Sequence, residues 1–363
     1  MTNREQEILL ILRDNPLISQ NELADQLGIT RSSAAVHITN LMKKGYILGK
    51  GYIVRDDAYV CVIGGSNIDI QGVPVNQLIF HDSNIGVVKH ALGGVGRNIA
   101  ENMTRLGLKT KLISIIGDDL YGQKILEEAR QIGMDMQDTL VLKGEQTSTY
   151  LSILDETKDM AVAISFMDIC DRMTVDYIKS KRHIIENAKF CVIDTNLSPE
   201  VLKYILTTFT EQRFLLDTVS TAKALKIKDV IGYCHTIKPN LIEAQSLSGI
   251  SGDGEADLKK MTNYFHELGV KHVYISMGKK GVFVSDGNVQ SMLVPPSVEV
   301  VNATGAGDAF LAGIALAYSK DLDLITTAKW GMAASFIALE HEATINPTIS
   351  EQRVMEIIET KFA

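Results

Sequence analysis

From residue 59 onward, short apolar segments that suit β-strands alternate with amphipathic segments that suit α-helices. The strand candidates end in glycine or polar residues, as in "YVCVIGGSNIDI", "FCVIDTN", "FLLDTVS", "HTIKPN" and "HVYISMG". Amphipathic helices such as "PEVLKYILTTF" and "DLKKMTNYFHELG" lie between them. This alternation predicts a parallel sheet that is covered by helices on both faces. Ligands in such folds bind at the carboxyl ends of the strands, which is where the polar turns lie.

Charge is distributed unevenly along the chain. Residues 30–54 contain no acidic residue and four basic ones, which are Arg31, Lys43, Lys44 and Lys50, and two aspartates follow at positions 56 and 57. A chain of 363 residues is long enough for two or three domains. We therefore expect a boundary near residue 57, with one domain over residues 1–57 and another over 58–363. The net charge of −8 argues against a protein that coats nucleic acid with its whole surface.

The first 57 residues show three short helices followed by a hairpin. The first helix, "REQEILLILRDNP", stops before Pro16. Ser19 and Glu22 form a capping box that opens the second helix, and Gly28 closes it. Thr30 caps the third helix, and "YILGKGYIV" has a hairpin pattern around two glycines. This order of elements resembles a winged helix-turn-helix.

In that fold the third helix reads the major groove of DNA and the wing lies against phosphate. The apolar positions of the third helix are Val36, Leu41 and Met42. Its polar residues and the wing supply the candidate DNA-binding residues, which are Arg31, Ser32, Ser33, His37, Asn40 and Lys50. The alternative is a small helical module for oligomerisation with a solvated basic face. Basic charge falls where DNA binding needs it, which favours DNA as a partner.

Other features favour a cytoplasmic protein. The first ten residues carry charge on both sides of a short apolar stretch, which is not the pattern of a signal peptide. No apolar run approaches the length of a membrane span, so no membrane partner is expected. The cysteines are far apart and lack metal-binding spacing, so they are expected to be buried, reduced thiols. They are Cys61, Cys170, Cys191 and Cys234.

Several nucleotide and metal motifs are missing from the sequence. No segment matches the Walker A pattern GxxxxGK[ST], and there is no HExxH. The dinucleotide pattern GxGxxG comes closest at "GVGRNI", where Ile99 replaces the third glycine and no clear strand is expected before it. These observations argue against P-loop chemistry and hydride transfer.

The segment "VNATGAGDAF" places one carboxylate where a glycine-rich turn becomes a helix. Gly305 and Gly307 let the backbone of Ala306 approach a ligand closely, and the free amides of a helix start attract an anion. Asp308 would repel a phosphate, but it could take a proton from a hydroxyl group that attacks the phosphate. The alternative is that Asp308 only stabilises the helix N-terminus.

Three other segments carry polar residues in patterns that suit a substrate and a metal. In "KPNLIEA", Asn240 and Glu243 could hold water around Mg²⁺, which prefers few protein ligands. In "GGSNIDI", Asn67 and Asp69 lie two residues apart, on one side of a strand. In "LGGVGRNIAENMTRLG", Gly93 and Gly94 lead up to a helix start, and we expect both glycines and Asn98 to take part. Amides and carboxylates together suit the vicinal hydroxyls of a sugar, although Asn and Asp also cap helices.

Taken together, these segments resemble the PfkB (ribokinase-like) carbohydrate kinase family over residues 58–360. Both glycine-rich signatures match, "GGVGRNIAENMTRLG" and "NATGAGDAFLAGIALA". The resemblance implies a three-layer α/β/α sandwich with a small β lid, which transfers the γ-phosphoryl group of ATP to a sugar hydroxyl. It implies that Asp308 is the base, with Gly305, Ala306 and Gly307 forming the anion hole. It also implies that Asn67, Asp69, Gly93, Gly94, Asn98 and Asp308 bind the sugar, and that Asn240 and Glu243 organise Mg²⁺.

The implied ATP site borders "SMGKKG". The residues that would bind the nucleotide are Lys238, Asn240, Ser276, Gly278, Thr304, Gly305 and Gly307. The lid would include "GVVKHA" and "TSTYLSILDETKDMAVAI", whose exposed apolar faces would pair in a homodimer. Many family members have an aspartate in place of Asn302 at a monovalent-cation site, so the missing charge argues against potassium activation.

Longer segments, among them "KHALGGVGRNIAENMTRLG" and "KPNLIEAQSLSGI", are similar to family members that phosphorylate the ribose 5′-hydroxyl of pseudouridine. Three interpretations remain open. The chain could be an active nucleoside kinase with a DNA-binding module, or a transcription regulator that senses a nucleoside through a weakly active kinase fold. It could also be a kinase for another sugar or nucleoside. The presence of Asp308, Asn240 and Glu243 favours catalysis.

Overall fold

A computed structural model describes residues 1–49, 58–157, 159–298 and 300–362. The chain divides into two compact units, Met1–Ala58 and Tyr59–Ala363. Within the described residues, none of the helices combines the length and the apolar character that a bilayer crossing requires. The cysteines named above are free and buried, as the sequence predicted.

The described part of the first unit contains three helices, α1 (Asn3–Asp14), α2 (Gln20–Leu27) and α3 (Arg31–Lys43). The predicted capping box of Ser19 and Glu22 opens α2, and Gly28 ends it in the left-handed conformation with φ of 61°. Thr30 caps α3 as predicted. The helices pack around a small core of their own, which includes Ile8, Leu12, Leu23, Ile38 and Leu41. The predicted hairpin lies mostly outside the described residues, and so does Lys50.

The second unit alternates strands with helices as predicted. Its strands are β1 (Val60–Ile63), β2 (Asn67–Pro74), β3 (Gly86–Gly93), β4 (Thr110–Ile113), β5 (Ile115–Gly117), β6 (Leu140–Leu142), β7 (Thr149–Leu154), β8 (Met160–Phe166), β9 (Cys191–Asp194), β10 (Phe214–Asp217), β11 (Thr236–Ile237), β12 (His272–Ser276), β13 (Val282–Ser285) and β14 (Gln290–Leu293). Its helices are α4 (Val95–Arg105), α5 (Leu120–Ile132), α6 (Val175–Ser180), α7 (Arg182–Asn187), α8 (Pro199–Thr208), α9 (Thr221–Ala224), α10 (Leu241–Ser248), α11 (Glu255–Leu268), α12 (Ala306–Ser319), α13 (Leu324–Leu339) and α14 (Glu351–Lys361).

The main sheet of the described chain contains eight strands in the order β14-β13-β12-β11-β10-β9-β1-β4. Its strands run parallel from β4 through β12, but β13 and β14 are antiparallel. The prediction of a purely parallel sheet was therefore wrong at this edge. The reason is the connection between β12 and β13, residues 277–281, which is too short for the crossover that parallel pairing needs.

Strand β1 illustrates why the sheet has helices on both faces. Val60 and Val62 pack into a core that contains side chains of α4, α12 and α13. Cys61 and Ile63 point the other way, into a second core formed with α8, α10 and α11. Successive side chains of a strand face opposite sides of the sheet, so a strand that is apolar throughout must be covered twice. The unit is therefore a three-layer α/β/α sandwich, as predicted.

A second sheet of the described chain contains four strands in the order β3-β2-β7-β8. It includes the segments that were predicted to form a lid. Strand β3 leads directly into α4, so the expectation that no strand precedes "GVGRNI" was wrong. Strands β3 and β8 lie at its edges and expose apolar side chains, which are Val87, Val88, Val162, Ile164 and Phe166.

Candidate active site

Helix α12 begins at Ala306, and Asp308 lies in its first turn. Gly305 precedes the helix with φ of 82°, and a β-carbon there would overlap the carbonyl oxygen of Thr344. Only glycine therefore fits this turn without strain. No side chain caps the turn in the described structure, and Ala306 N has only a long backbone contact of 3.4 Å, to Ala303 O, so the helix start can still attract an anion.

The Asp308 carboxylate is buried, with 9% of the residue exposed. Its Oδ2 accepts a hydrogen bond of 2.9 Å from Asn98 Nδ2 on α4. Burial and the nearby charge of Asp217 raise the pKa of Asp308 to about 8, and the Asn98 hydrogen bond and Lys238 oppose that rise. A carboxylate of such basicity is well matched to accepting a proton near neutral pH.

The predicted sugar-binding residues gather at one place between the lid and α4. Asn67 Nδ2 donates to Asp69 Oδ1 at 2.6 Å, and burial raises the pKa of Asp69. Asn67 is the β2 partner of Gly93 on β3, where a β-carbon would overlap the Asp69 carboxylate. Gly94 starts α4 with φ of 97°. The structure thus brings these residues together with Asn98, as the sequence predicted.

Asp194 is fully buried at the end of β9 and was not among the residues predicted from the sequence. Its carboxylate accepts backbone hydrogen bonds from Gly65 at 2.9 Å and Gly96 at 2.7 Å, and another from Asn196 at 2.8 Å. These bonds hold the turn after β1 against the start of α4. The signal for Asp194 was present in "FCVIDTN", where an apolar strand ends in a carboxylate.

A cavity of about 670 Å³ lies beside the start of α12, a volume typical of ligand pockets. Four predicted nucleotide-site residues line it, namely Lys238, Ser276, Gly278 and Gly307, and so does Ala306 of the predicted anion hole. Apolar residues that the sequence analysis did not single out line it too, among them Val282, Val298, Phe310, Met332 and Phe336. Apolar walls suit a flat base, and the cation and amides suit phosphates. Of the other predicted residues, Asn240, Thr304 and Gly305 do not line this cavity in the described structure.

Lys238 carries the positive charge next to the helix start. Its Nζ forms an ion pair of 3.1 Å with Asp217, and both side chains are buried. A β-carbon at Gly307 would lie 3.4 Å from this Nζ, so the ammonium group is adjacent to the first turn of α12. Burial opposes the charge of Lys238, but the ion pair with Asp217 outweighs it and the pKa of Lys238 is raised. A fixed cation therefore stands beside the anion-binding amides.

Asn240 and Glu243 form a capping box at the start of α10. Glu243 N donates to Asn240 Oδ1 at 2.9 Å, and Asn240 N donates to Glu243 Oε2 at 3.0 Å. The same Oε2 accepts a bond of 2.6 Å from the Thr218 hydroxyl. The described residues contain no group of three or more carboxylate, histidine or cysteine side chains that could hold a metal. This arrangement fits Mg²⁺ held mainly by water and phosphate, with a single carboxylate nearby.

Asn302 ties the loop before α12 to the loop before α14. Its Oδ1 accepts from Thr304 N at 2.9 Å, and its Nδ2 donates to Glu342 O at 2.8 Å. Thr304 itself is exposed. The uncharged amide of Asn302 thus links the two loops through hydrogen bonds.

On α3, Arg31, Ser32 and Asn40 are exposed, and Ser33 and His37 are half-buried. Val36 was predicted as an apolar helix position, but 59% of it is exposed, and Met42 is exposed as well. The core side of α3 consists of Ala34, Ile38 and Leu41.

Lys44 was counted among the basic residues that could face DNA. Its Nζ instead contacts both carboxylate oxygens of the buried Glu5, at 2.8 and 2.9 Å. The ion pair joins the segment after α3 to α1, which gives Lys44 a structural partner.

Comparison with known proteins identified two families. Residues 57–351 match the pfkB family carbohydrate kinase, and residues 1–47 match a winged helix-turn-helix DNA-binding family. The uncharacterized sugar kinase YeiI of Escherichia coli (strain K12) is 37% identical over 99% of both chains. The pseudouridine kinase of the same organism is 39% identical over 84% of this chain and 98% of its own. A crystal structure of a protein from Clostridium perfringens has 40% identity and a TM-score of 0.77, and the match covers 84% of this chain and 96% of that one.

Proposed function

The chain belongs to the pfkB family of carbohydrate kinases, and we propose that it transfers the γ-phosphoryl group of ATP to the ribose 5′-hydroxyl of pseudouridine. The observation that carries this proposal is the contact between Asn98 and Asp308, at 2.9 Å. That contact joins the two glycine-rich motifs of the chain beside the anion-binding turn of α12. It puts a basic carboxylate next to the residues that suit a sugar.

In the proposed reaction, Asp308 accepts the proton of the 5′-hydroxyl while the oxygen attacks the γ-phosphorus atom. A P–O bond to the ribose forms, and the bond from the γ-phosphorus to the bridging oxygen breaks, which releases ADP. The amides of Ala306 and Gly307 and the Lys238 ammonium lie where they can bind the transferring phosphoryl oxygens. Charge stabilisation by fixed donors of this kind is usually the largest contribution in such reactions.

ATP would occupy the cavity of about 670 Å³, with its base between the apolar walls and its phosphates toward Lys238. Mg²⁺ would neutralise phosphate charge and would be positioned through water by Glu243. Asn67, Asp69, Gly94 and Asn98 would hold the ribose hydroxyls. The Asn302 amide supplies no charge for a monovalent cation, so we expect turnover without added potassium.

The choice of pseudouridine draws on the high similarity to a pseudouridine kinase over nearly that enzyme's whole length. The alternative is another nucleoside or a free sugar. The test is ADP release by the full-length protein with ATP and Mg²⁺, comparing pseudouridine, uridine and ribose. Pseudouridine should give the highest kcat/KM. A tenfold higher kcat/KM for another substrate would show that pseudouridine is not the preferred substrate, and it would leave the proposed kinase activity in place.

We further propose that the first unit binds DNA and couples nucleoside metabolism to transcription. The supporting observation is α3, where Arg31, Ser32 and Asn40 are exposed on a segment free of acidic residues. Such a helix suits the major groove. A nucleoside could alter DNA binding only if it binds two states of the protein with different affinity.

Finally, we propose a homodimer through the lid. Strands β3 and β8 are the edges of the four-stranded sheet, and both expose apolar side chains. Exposed apolar edges favour pairing with another strand, and a second copy of the chain supplies a matching edge.

A further inference from the structure

The side-chain amide of Asn98 lies between two groups with opposite hydrogen-bonding character. Its Oδ1 accepts a bond of 3.0 Å from Arg97 Nη1, and its Nδ2 donates at 2.9 Å to Asp308 Oδ2. A guanidinium group can only donate, and an ionised carboxylate can only accept. Rotating the amide by 180° would therefore break both bonds, so only one orientation satisfies the two neighbours.

Arg97 is itself held firmly. Only 2% of the residue is exposed, and its guanidinium forms an ion pair with the equally buried Glu101, one turn further along α4. Glu101 also pairs with Arg105 at 2.7 Å. A buried ion pair contributes little net stability compared with apolar residues of the same size. The pair is therefore poorly explained by stability alone, and Arg97 is hydrogen-bonded to the Asn98 amide of the site.

We propose that Arg97 is a positioning residue for phosphoryl transfer, which fixes the Asn98 amide so that its NH₂ group holds and orients the Asp308 carboxylate. This inference rests on the proposed role of Asp308 as the base. Arg97 does not line the cavity in the described structure, and it reaches the proposed sugar site through its hydrogen bond to Asn98, so it acts through that amide.

Loss of Arg97 would free the Asn98 amide to turn its oxygen toward Asp308. The carboxylate would then lose a donor and face a second acceptor, which raises its pKa further. The other charged groups around Asp308, namely Asp194, Asp217 and Lys238, would stay unchanged. Asp69 also lies near Arg97 and would lose a favourable charge. The expected signature is a rising limb of the pH–rate profile that moves to higher pH.

The experiment measures kcat and kcat/KM against pH for the full-length protein, with ATP, Mg²⁺ and the best nucleoside of the panel. Arg97→Met should lower kcat by on the order of 10-fold or more at pH 7 and shift the rising limb upward. Arg105→Met is the matched control, because it also removes an ion pair with Glu101 but leaves Asn98 in place. The rising limb of its pH–rate profile should lie at the same pH as in the wild-type protein.

A second variant tests whether Arg97→Met acts only by destabilising the fold. Arg97→Met combined with Glu101→Leu replaces both members of the buried pair with apolar residues, a change that proteins often tolerate well. It should show the same shift as Arg97→Met. Adding Arg97→Met to Asn98→Ala should cost little more than Asn98→Ala alone, since both act through one amide.

Thermal unfolding shows whether each Arg97 variant is folded. If a folded Arg97 variant has the wild-type turnover and the wild-type rising limb in its pH–rate profile, the inference is overturned. An equal effect of Arg105→Met would overturn it too, because the cause would be the ion pair and not the amide. The proposed function fails in a different way, by full turnover of Asp308→Asn.

Discussion

The side chains of Asn98 and Asp308 are 210 residues apart in the chain and meet at 2.9 Å. Asn98 lies on α4, and Asp308 lies in the first turn of α12. The two helices each begin at a glycine with positive φ, and the Asn98–Asp308 hydrogen bond brings their first turns together. This contact makes one site of two sequence motifs and leads to the following predictions.

Asp308→Asn should lose nearly all turnover while nucleoside binding changes little. A positioned general base contributes about 10²–10⁴ in rate, and asparagine keeps the volume and the polar contact. Asp323→Asn is the control, because it changes another helix-start aspartate that lies outside the site, and asparagine also caps helices. Turnover above about a tenth of wild type in Asp308→Asn would rule out the base assignment.

The pH profile of kcat/KM should rise to a plateau only above about pH 8. The base must be deprotonated to work, and burial together with Asp217 raises the pKa of Asp308 to about 8. The raised pKa also means that the folded state holds this proton more tightly than the unfolded state. Stability should therefore fall as pH rises from about 4 to about 8, and Asp308→Asn should raise Tm relative to wild type at pH 8. An activity limb near pH 4 would contradict the raised pKa.

Glu243→Gln should raise the Mg²⁺ concentration needed for half-maximal rate. Glutamine keeps an acceptor for the capping box but removes the charge that would organise the metal's water shell. Glu22→Gln makes the same change in the capping box of α2, away from the proposed metal. It should leave the Mg²⁺ dependence as it is. An unchanged Mg²⁺ dependence in Glu243→Gln would mean that Glu243 only caps α10.

Ile164→Asp on β8 should convert the proposed homodimer to a monomer at micromolar concentration. A carboxylate on an apolar edge carries a desolvation penalty when two copies pair. Light scattering after size-exclusion chromatography measures the mass. Val141→Asp, on the exposed face of β6 outside the lid sheet, should leave the mass unchanged. A monomeric wild-type protein would contradict the lid dimer.

DNA binding should depend on Arg31 and Lys43 of the first unit but not on a surface lysine of the kinase unit. The DNA upstream of the protein's own gene serves as the probe, with and without pseudouridine. Arg31→Ala should reduce affinity, and it should reduce sequence discrimination as well if Arg31 reaches a base edge. Lys43→Ala should weaken binding to all duplexes about equally. It should also reduce the slope of log K against log salt concentration by about one.

Lys124→Ala, an exposed lysine of α5, is the control and should have no effect on DNA binding. Lys50→Ala in the expected wing should behave like Lys43→Ala. Absence of any DNA binding by the full-length protein at low salt would leave the first unit as an assembly element.

Local patterns in the sequence predicted the elements well, because their causes act within a few residues. The caps at Ser19 and Thr30 and the end of α2 at Gly28 depend on hydrogen bonds and φ values of neighbouring residues. The alternation of strands and helices likewise follows from the spacing at which apolar side chains recur along the sequence. The two glycine-rich motifs predicted both helix starts at the site.

Only the tertiary structure determined the contacts between residues that are far apart in the chain. The motif of Asn240 and Glu243 suggested a metal site, yet folding gives Glu243 a hydrogen bond from Thr218. Lys44 belongs to the basic segment and is exposed, but only packing shows that it pairs with the buried Glu5. Asp194 was visible in the sequence only as a carboxylate at a strand end, and its role depends on amides from the turn after β1 and from α4. The physical reason is that a buried polar group must find partners wherever the packed chain provides them, and sequence separation does not limit that choice.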